Sequence, residues 1–342
     1  MTLASPIVDN RLILDALFAR WRFPCMSAAM ELGLFEALEE QPASAKGLAE
    51  RLKLNFRAMR AVLPVIAAGG LLDVHDGHFS LTVTARTYLL KDSPFYFGAK
   101  LLAQARTSSE HEQLVKALSQ KEDYKGQSGL PRPVEGWEAG DIPADLAKRI
   151  AAYMQAECAA LAVGAAQSGV FAGVKRLLDV GGGSGAMCIA IAEAQEHTHC
   201  TVMDLPTMCA EAEHYIAAAG MSGHVHTLAR DMFREDWPTD YDGMLFSNIY
   251  HDWRFDTCAL LTRKAFEALP RGGRIFLHEM LYDDGHTGPM APAGFSVQML
   301  IGTQGQQFTF AELKDMLEEA GFTGTGVKHT FGYYSVVTAV KP

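Results

Sequence analysis

No stretch of the 342-residue chain approaches the roughly 18 uninterrupted apolar residues that a membrane span needs. An excess of basic residues is missing too. Lys and Arg total 30 against 40 Asp and Glu, a formal net charge of -10, which argues against a general affinity for nucleic acid or an anionic membrane. The opening MTLASPIVDNRLILDALFAR has no basic region ahead of its apolar stretch and carries Asp9 and Asp15. It is a poor secretory signal, and a cytoplasmic protein is expected. The six cysteines, Cys25, Cys158, Cys188, Cys200, Cys209 and Cys258, form no CxxC pair and no metal-ligand spacing, so neither a disulfide framework nor a metal site is expected. In apolar surroundings they read as small hydrophobes. Absent also is the P-loop lysine. The glycine run DVGGGSG continues into Ala186 and Met187, not into GKS or GKT, which removes nucleoside triphosphates from consideration.

A 49% hydrophobic content fills a core, and the length points to two domains. Residues 1–100 read as helices followed by a hairpin. RLILDALFARWR and CMSAAMELGLFEALEE carry apolar residues at helical spacing, Ser44 caps a short helix, and NFRAMRAVLPVIAAGG is a further helix closing at Gly69 and Gly70. LLDVHDGHFSLT is a hairpin with Asp76 and Gly77 at its turn. This is the order of a winged helix. Yet eleven basic side chains stand against ten acidic ones over residues 1–100, leaving no basic face for DNA. The apolar helices Arg11 to Arg22 and Cys25 to Glu40 instead suit packing against a second copy of the chain. Residues 101–169 read as a helical linker with an irregular insertion over 121–145, in which Trp137 either anchors packing or covers a substrate.

From residue 170 to 342, strands and helices alternate, which predicts an α/β domain with a parallel sheet and ligands at the C-terminal ends of its strands. RLLDV, HCTVMDL, VHTLARDMF, YDGMLFSNIYHDW and GGRIFLHEMLYDD are the successive strands, and GTGVKHTFGYYSVVTAVK is an antiparallel pair closing the sheet. The glycines after the first strand are contiguous and preceded by Asp179, unlike the GxGxxG of a dinucleotide site. They suit a ligand without phosphate, and S-adenosylmethionine is one. Asp204, at the end of the second strand, is placed to accept from a ribose diol. Asp231 and Met232, after the third, suit an adenine amine and its face.

DVGGGSG, MDLP, RDMF, SNIYHDW and GGRIFLHE together resemble the successive motifs of the S-adenosylmethionine-dependent small-molecule O-methyltransferases, the family of caffeic acid and acetylserotonin enzymes and of many bacterial antibiotic-tailoring enzymes. The resemblance implies a class I methyltransferase Rossmann-like sheet behind an N-terminal winged-helix dimerisation domain, in a homodimer. It places cofactor contacts at Asp179, Gly181, Gly183, Asp204, Leu205, Asp231, Met232, Phe233 and Ser247. Methyl transfer to oxygen is an in-line displacement, and a phenol is far more nucleophilic as its proton leaves. A histidine suits that task, and His251 matches the family's base. Asp252 is its partner or a helix cap, and Trp253 is packing. Relatives flank the base with two carboxylates. Glu279 matches the first, but Gln307 stands at the second position, where an amide can hydrogen-bond an imidazolium without opposing its charge. Met154 and Met299 match acceptor-lining positions, with Tyr153, Tyr250 and Phe295 as further candidates. The expected acceptor is a small aromatic or polyketide-like hydroxyl compound. Transfer to carbon or nitrogen, a non-methylating relative, and a winged-helix regulator sensing the cofactor are the competing readings.

Overall fold

Local signals decide where the first helices begin and end. In the computed structural model, which describes residues 6–120, 136, 137 and 139–342, α1 spans Arg11–Phe18 and α2 Arg22–Glu31. The helix expected to run on to Glu40 is interrupted at Gly33, whose φ of +74° only glycine adopts freely. The chain restarts as α3, Leu34–Glu40. α4 (Ala45–Leu52) starts where Ser44 Oγ accepts from Gly47 N at 3.1 Å, and α5 (Phe56–Ala68) where Asn55 Oδ1 accepts from Ala58 N at 3.0 Å. β1 (Leu72–His75) and β2 (His78–Leu81) pair antiparallel around Asp76 and Gly77, both at positive φ. α6 (Val83–Leu89), α7 (Gly98–Ala105) and α8 (Ser109–Ser119) follow.

The chain divides into two compact units, each drawn from separate stretches. One joins Asn10–Leu130 with Tyr282–Thr309; the other joins Met1–Asp9, Pro131–Leu281 and Phe310–Pro342. Tyr282–Thr309, expected within the 170–342 domain, therefore falls with the N-terminal helices. Its helix Met290–Gly302 presses Gly294 so close to Phe18 that a Cβ there would stand 2.6 Å from the Phe18 Cβ. Phe295 stacks on Phe18 with ring centroids 5.1 Å apart. The Arg57 guanidinium donates to the carbonyls of Met299, Thr303 and Gly305 at 2.9–3.2 Å.

The other unit opens with α9 (Ala144–Gln167) and continues through β3 (Arg176–Val180), α10 (Ala186–Ala194), β4 (His199–Asp204), α11 (Pro206–Ala218) and β5 (Val225–Ala229). β6 (Gly243–Ser247), α12 (Phe255–Ala268), β7 (Arg274–Met280), α13 (Phe310–Glu319), β8 (Thr323–Phe331) and β9 (Tyr334–Val340) complete it. Seven strands form one sheet in the order β5-β4-β3-β6-β7-β9-β8. The first five pair parallel, and β9 runs antiparallel to both β7 and β8. Crossovers between parallel strands leave the C-terminal ends of those strands clear for ligands. Three strands stop earlier than the sequence pattern predicts. β5 ends at Ala229, β7 at Met280, and β6 at Ser247, because Asn248 takes a φ of +57° and Tyr250–Asp252 coil into a 3-10 turn. Most of the irregular 121–145 insertion lies outside the described residues.

Candidate active site

The glycine loop after β3 is shaped by what surrounds it. A Cβ on residue 181 would lie 2.5 Å from Ile249 Cδ1, one on residue 182 2.7 Å from Asp179 Oδ2, and one on residue 183 2.6 Å from Met154 Sδ. Gly181 and Gly183 also hold φ of +71° and +57°, so only glycine serves there. Facing the loop, Asp204 receives Gly183 N on Oδ2 at 3.0 Å and Leu205 N on Oδ1 at 2.7 Å. Burial pushes its carboxyl up to about 6 despite those two bonds. Asp179, behind the loop, is fully buried; desolvation lifts it to about 7, Cys188 Sγ lies 3.5 Å from Oδ2, and Oδ1 has no hydrogen-bond partner among the described residues.

A cavity opens at the strand tips. β3 gives it Gly181; β4 gives Met203, Asp204 and Leu205; the loop after β5 gives Arg230, Asp231, Met232 and Phe233; and the turn after β6 gives Ile249, Asp252 and Trp253. Met154 of α9 and Trp137 complete the wall. The β5 loop is tied down by its backbone: Asp231 Oδ1 accepts from Phe233 N at 2.8 Å, and Lys264 Nζ and Trp237 Nε1 donate to Met232 O at 2.7 and 3.0 Å. Phe233 and Trp253 meet edge to face at 4.7 Å. Among the described residues Arg230 is the single lysine or arginine in this wall, and it donates to Asp236 O. Three carboxylates, Asp204, Asp231 and Asp252, among thioethers and aromatic rings make a poor polyphosphate cradle. They fit S-adenosylmethionine, which brings a diol, a flat heteroaromatic ring and cations.

Beside the cavity, Glu279 of β7 organises the turn that carries His251. Its Oε1 accepts from the backbone N–H groups of Ile249, Tyr250 and His251 at 3.2, 3.0 and 3.4 Å, and its Oε2 lies 2.8 Å from His251 Nδ1. Asp252 Oδ1 lies 3.8 Å from the opposite ring nitrogen, Nε2. Burial alone would depress the imidazole, but the charges of Glu279 and Asp252 outweigh it and push His251 up to about 9. Asp252 is lifted by burial to about 7, with His251 pulling the other way.

The predicted residues are not all brought together. Ser247 Oγ bonds His278 Nδ1 at 3.0 Å and, like Asp179 and Gly183, stands outside the cavity wall. Tyr250, expected to touch the acceptor, is a core residue: it is fully buried, with its hydroxyl 2.7 Å from Thr262 Oγ1 and its ring against Phe246. The 3-10 turn takes its side chain out of the strand alternation the sequence suggests. Tyr153 is 61% exposed. Phe295, Met299 and Gln307 belong to the helical unit. There Gln307 is fully buried, with Ser296 Oγ accepting from its backbone N at 3.2 Å, and neither side-chain amide atom has a partner among the described residues. Trp253, expected as packing, walls the cavity. Sequence reasoning passed over Met203, Arg230 and Ile249, and it missed Glu157, whose charge reaches His251 from α9.

A glycine-looped sheet of this strand order, with an acid at the tip of β4, defines a class I methyltransferase. Comparison with known proteins narrows the class. Residues 14–91 match the O-methyltransferase dimerisation domain and residues 111–323 the O-methyltransferase domain. The chain is 35% identical over 311 residues to the 3-hydroxy-5-methyl-1-naphthoate 3-O-methyltransferase of Streptomyces sahachiroi, covering 91% of this chain and 88% of that one. An O-methyltransferase family 2 protein from Planctomyces limnophilus, solved with apigenin, superposes with a TM-score of 0.87 at 25% identity over the whole of both chains. Human N-acetylserotonin methyltransferase, solved with S-adenosylmethionine, shares the fold with a TM-score of 0.59 at 21% identity over 97% of each chain. The protein belongs to the O-methyltransferase family. It is an S-adenosylmethionine-dependent enzyme of the natural-product type whose dimerisation domain makes it a homodimer. Among the described residues, no helix is long and apolar enough to cross a membrane, and no cluster of His, Cys, Asp or Glu could hold a metal ion.

Proposed function

We propose that this enzyme methylates a phenolic hydroxyl of a small, flat aromatic or polyketide-like acceptor in the cytoplasm, with His251 as the general base. The observation that carries the reading is the double grip of Glu279 on the turn backbone and on His251 Nδ1. With Nδ1 held by Glu279, Nε2 is the nitrogen assigned to take the acceptor's proton. A phenol of ordinary pKa, about 10, gives up its proton uphill to a histidine of ordinary pKa but almost level to one pushed up to about 9. Glu279 then faces the imidazolium as a counter-charge and holds its ring plane. The hydroxynaphthoate named for the relative and the apigenin bound by the structural neighbour support a flat aromatic acceptor.

When bound, S-adenosylmethionine supplies an electrophilic methyl group on a sulfonium. Asp204 is assigned to its ribose hydroxyls, and Asp231, Met232 and Phe233 to its adenine. Leu205, Gly181, Gly183 and Asp179 shape the loop that admits it, and Ser247 supports the β6 tip through His278. Met154 sits at the cavity's edge, where a thioether can face an aromatic ring. Incubating the purified enzyme with S-adenosylmethionine and a panel of phenols, naphthols and flavones tests the reading by release of S-adenosylhomocysteine. Cofactor binding without turnover across that panel would count against it.

A further inference from the structure

Trp137 enters the cavity wall from the segment that leads into α9, and that segment is held both by apolar packing and by a charged group. Ile142 is buried with Ile150 of α9, Leu205 and Met208 of α11, and Trp137 packs against the same cluster. The charged group is Arg234, from the loop after β5. Its Nη1 donates to Ala139 O at 2.8 Å and lies 3.3 Å from Asp231 Oδ2, so one nitrogen joins a carbonyl of the segment to a carboxylate of the cavity. The backbone there turns tightly, with Gly140 N donating to Trp137 O at 3.2 Å and Asp141 N to Gly136 O at 3.0 Å. Gly140 holds a φ of +72°, and a Cβ on it would stand 2.7 Å from Arg234 Nη1 and 3.0 Å from Asp231 Oδ2. The segment lies directly on the ion pair. The loop beneath is itself fixed: Asp231 Oδ1 accepts from the backbone of Phe233 and Arg234 at 2.8 and 3.2 Å, and Lys264 Nζ donates to the carbonyls of Met232, Phe233 and Glu235 at 2.7, 3.3 and 2.9 Å.

We infer that Arg234 is a positioning residue for cofactor binding, a latch that joins residues 136, 137 and 139–143 to the β5 loop and so keeps the Trp137 indole in the cavity wall. The inference rests on the reading of this cavity as the place of S-adenosylmethionine. An indole face is a platform for a flat heteroaromatic ring, and it serves as one only while its segment is seated. A guanidinium suits the latch because its fork of donors can meet a carbonyl and a carboxylate together, where an ammonium is a single mobile point charge. The Arg234 side chain is 59% exposed, so solvent screens the pair and its effect on affinity is a few-fold, not a hundredfold. A latch of that strength holds the wall without trapping the ligand.

Calorimetry on the full-length enzyme, with S-adenosylmethionine as the probe and no acceptor present, tests the latch by a double-mutant cycle. Trp137→Ala should raise Kd about tenfold, and Arg234→Gln about fivefold. In the Trp137→Ala background, where the segment no longer carries its indole, Arg234→Gln should add less than about twofold. Fluorescence supplies a second readout. The emission contributed by Trp137, taken as the difference between matched proteins with and without it, should move to longer wavelength in Arg234→Gln as the ring gains water. Equal penalties in the two backgrounds, or an emission that does not move, overturn the inference, because an arginine that merely braces Asp231 would act whether or not residue 137 is tryptophan. Should Arg234→Gln not fold, Gly140→Val presses the segment off the same nitrogen and carries the same comparison. Wild-type affinity in both Asp204→Asn and Trp137→Ala would overturn the cavity reading and this one together; weakened binding in Asp204→Asn beside an unchanged Kd in Arg234→Gln overturns this one alone.

Discussion

Two imidazoles are buried in the sheet-bearing unit, and their surroundings drive them in opposite directions. His278, fully buried, has its ring 5.1 Å from that of Tyr334 and its nitrogens beside hydroxyls: Ser247 Oγ at 3.0 Å from Nδ1 and Thr330 Oγ1 at 3.4 Å from Nε2. Burial pushes it down to about 3. His251, also buried, has Glu279, Asp252 and Glu157 around it and rises to about 9. Burial thus sets a default of neutrality, and carboxylates reverse it. The two environments share a strand. His278 and Glu279 are neighbours on β7, and alternation along a strand sends adjacent side chains to opposite faces. One strand therefore supplies a silent core histidine on one side and the counter-charge of the reactive one on the other.

The comparison breaks most sharply at His251 itself. His251→Ala should lower kcat by about a thousandfold while calorimetric affinity for S-adenosylmethionine stays within about twofold of wild type, since the cofactor contacts lie elsewhere. Glu279→Gln should make the base resemble its quiet neighbour, lowering kcat by about a hundredfold. The acid limb of kcat/KM, near 9 in wild type, should move toward the ordinary histidine value. A limb that stays put would show that Glu279 only braces the turn. Asp204→Asn, which touches neither imidazole, should raise the cofactor Kd about tenfold and leave the limb in place; a moved limb would mean that the cavity and the base are not separable.

His278→Gln should be the smallest in kinetics and visible in stability. It disturbs two buried hydroxyl contacts, at a cost of about 1–3 kcal/mol, read as a lower Tm with an unchanged pH profile of activity. The pH dependence of stability separates the pair further. The folded pKa of His278 lies below its unfolded value of about 6.5, so its contribution is complete above that value and drains as pH falls toward about 3. The folded pKa of His251 lies above, so its contribution is complete below about 6.5 and is lost as pH rises through about 9. Thermal scans should therefore show the gap between wild type and His278→Gln narrowing in acid, and that between wild type and His251→Ala narrowing in base.

Much of the sheet was legible because strand ends carry local chemistry. DVGGGSG marks a loop where side chains collide, and Asp76-Gly77 marks a turn needing positive φ, so both were placed from residue type alone. The turn after β6 was harder. SNIYHDW follows the apolar run of β6 without a glycine or proline to stop it, and Asn248, which enters the left-handed region more readily than most residues, is the one local sign of a turn, so Tyr250 was read as facing the acceptor when it belongs to the core. Glu157 was invisible for another reason. A lone acid on a long helix reads as solvated, and its electrostatic effect on His251, far away in sequence, arises only in the folded chain. Likewise the segment 282–309 follows β7 in sequence, and the Arg57 contacts that gather it to the helical unit are long-range.

The hydrogen bonds of Glu279 carry one more consequence. One oxygen is spent on three consecutive amides and the other on a ring nitrogen, so frame and charge are held by separate atoms of one side chain. A proton arriving on the imidazole changes the electrical load on the second oxygen without loosening the first. On the proposed reading of His251 as base, the turn need not shift between the two protonation states, and the backbone that presents the ring is preorganised for both.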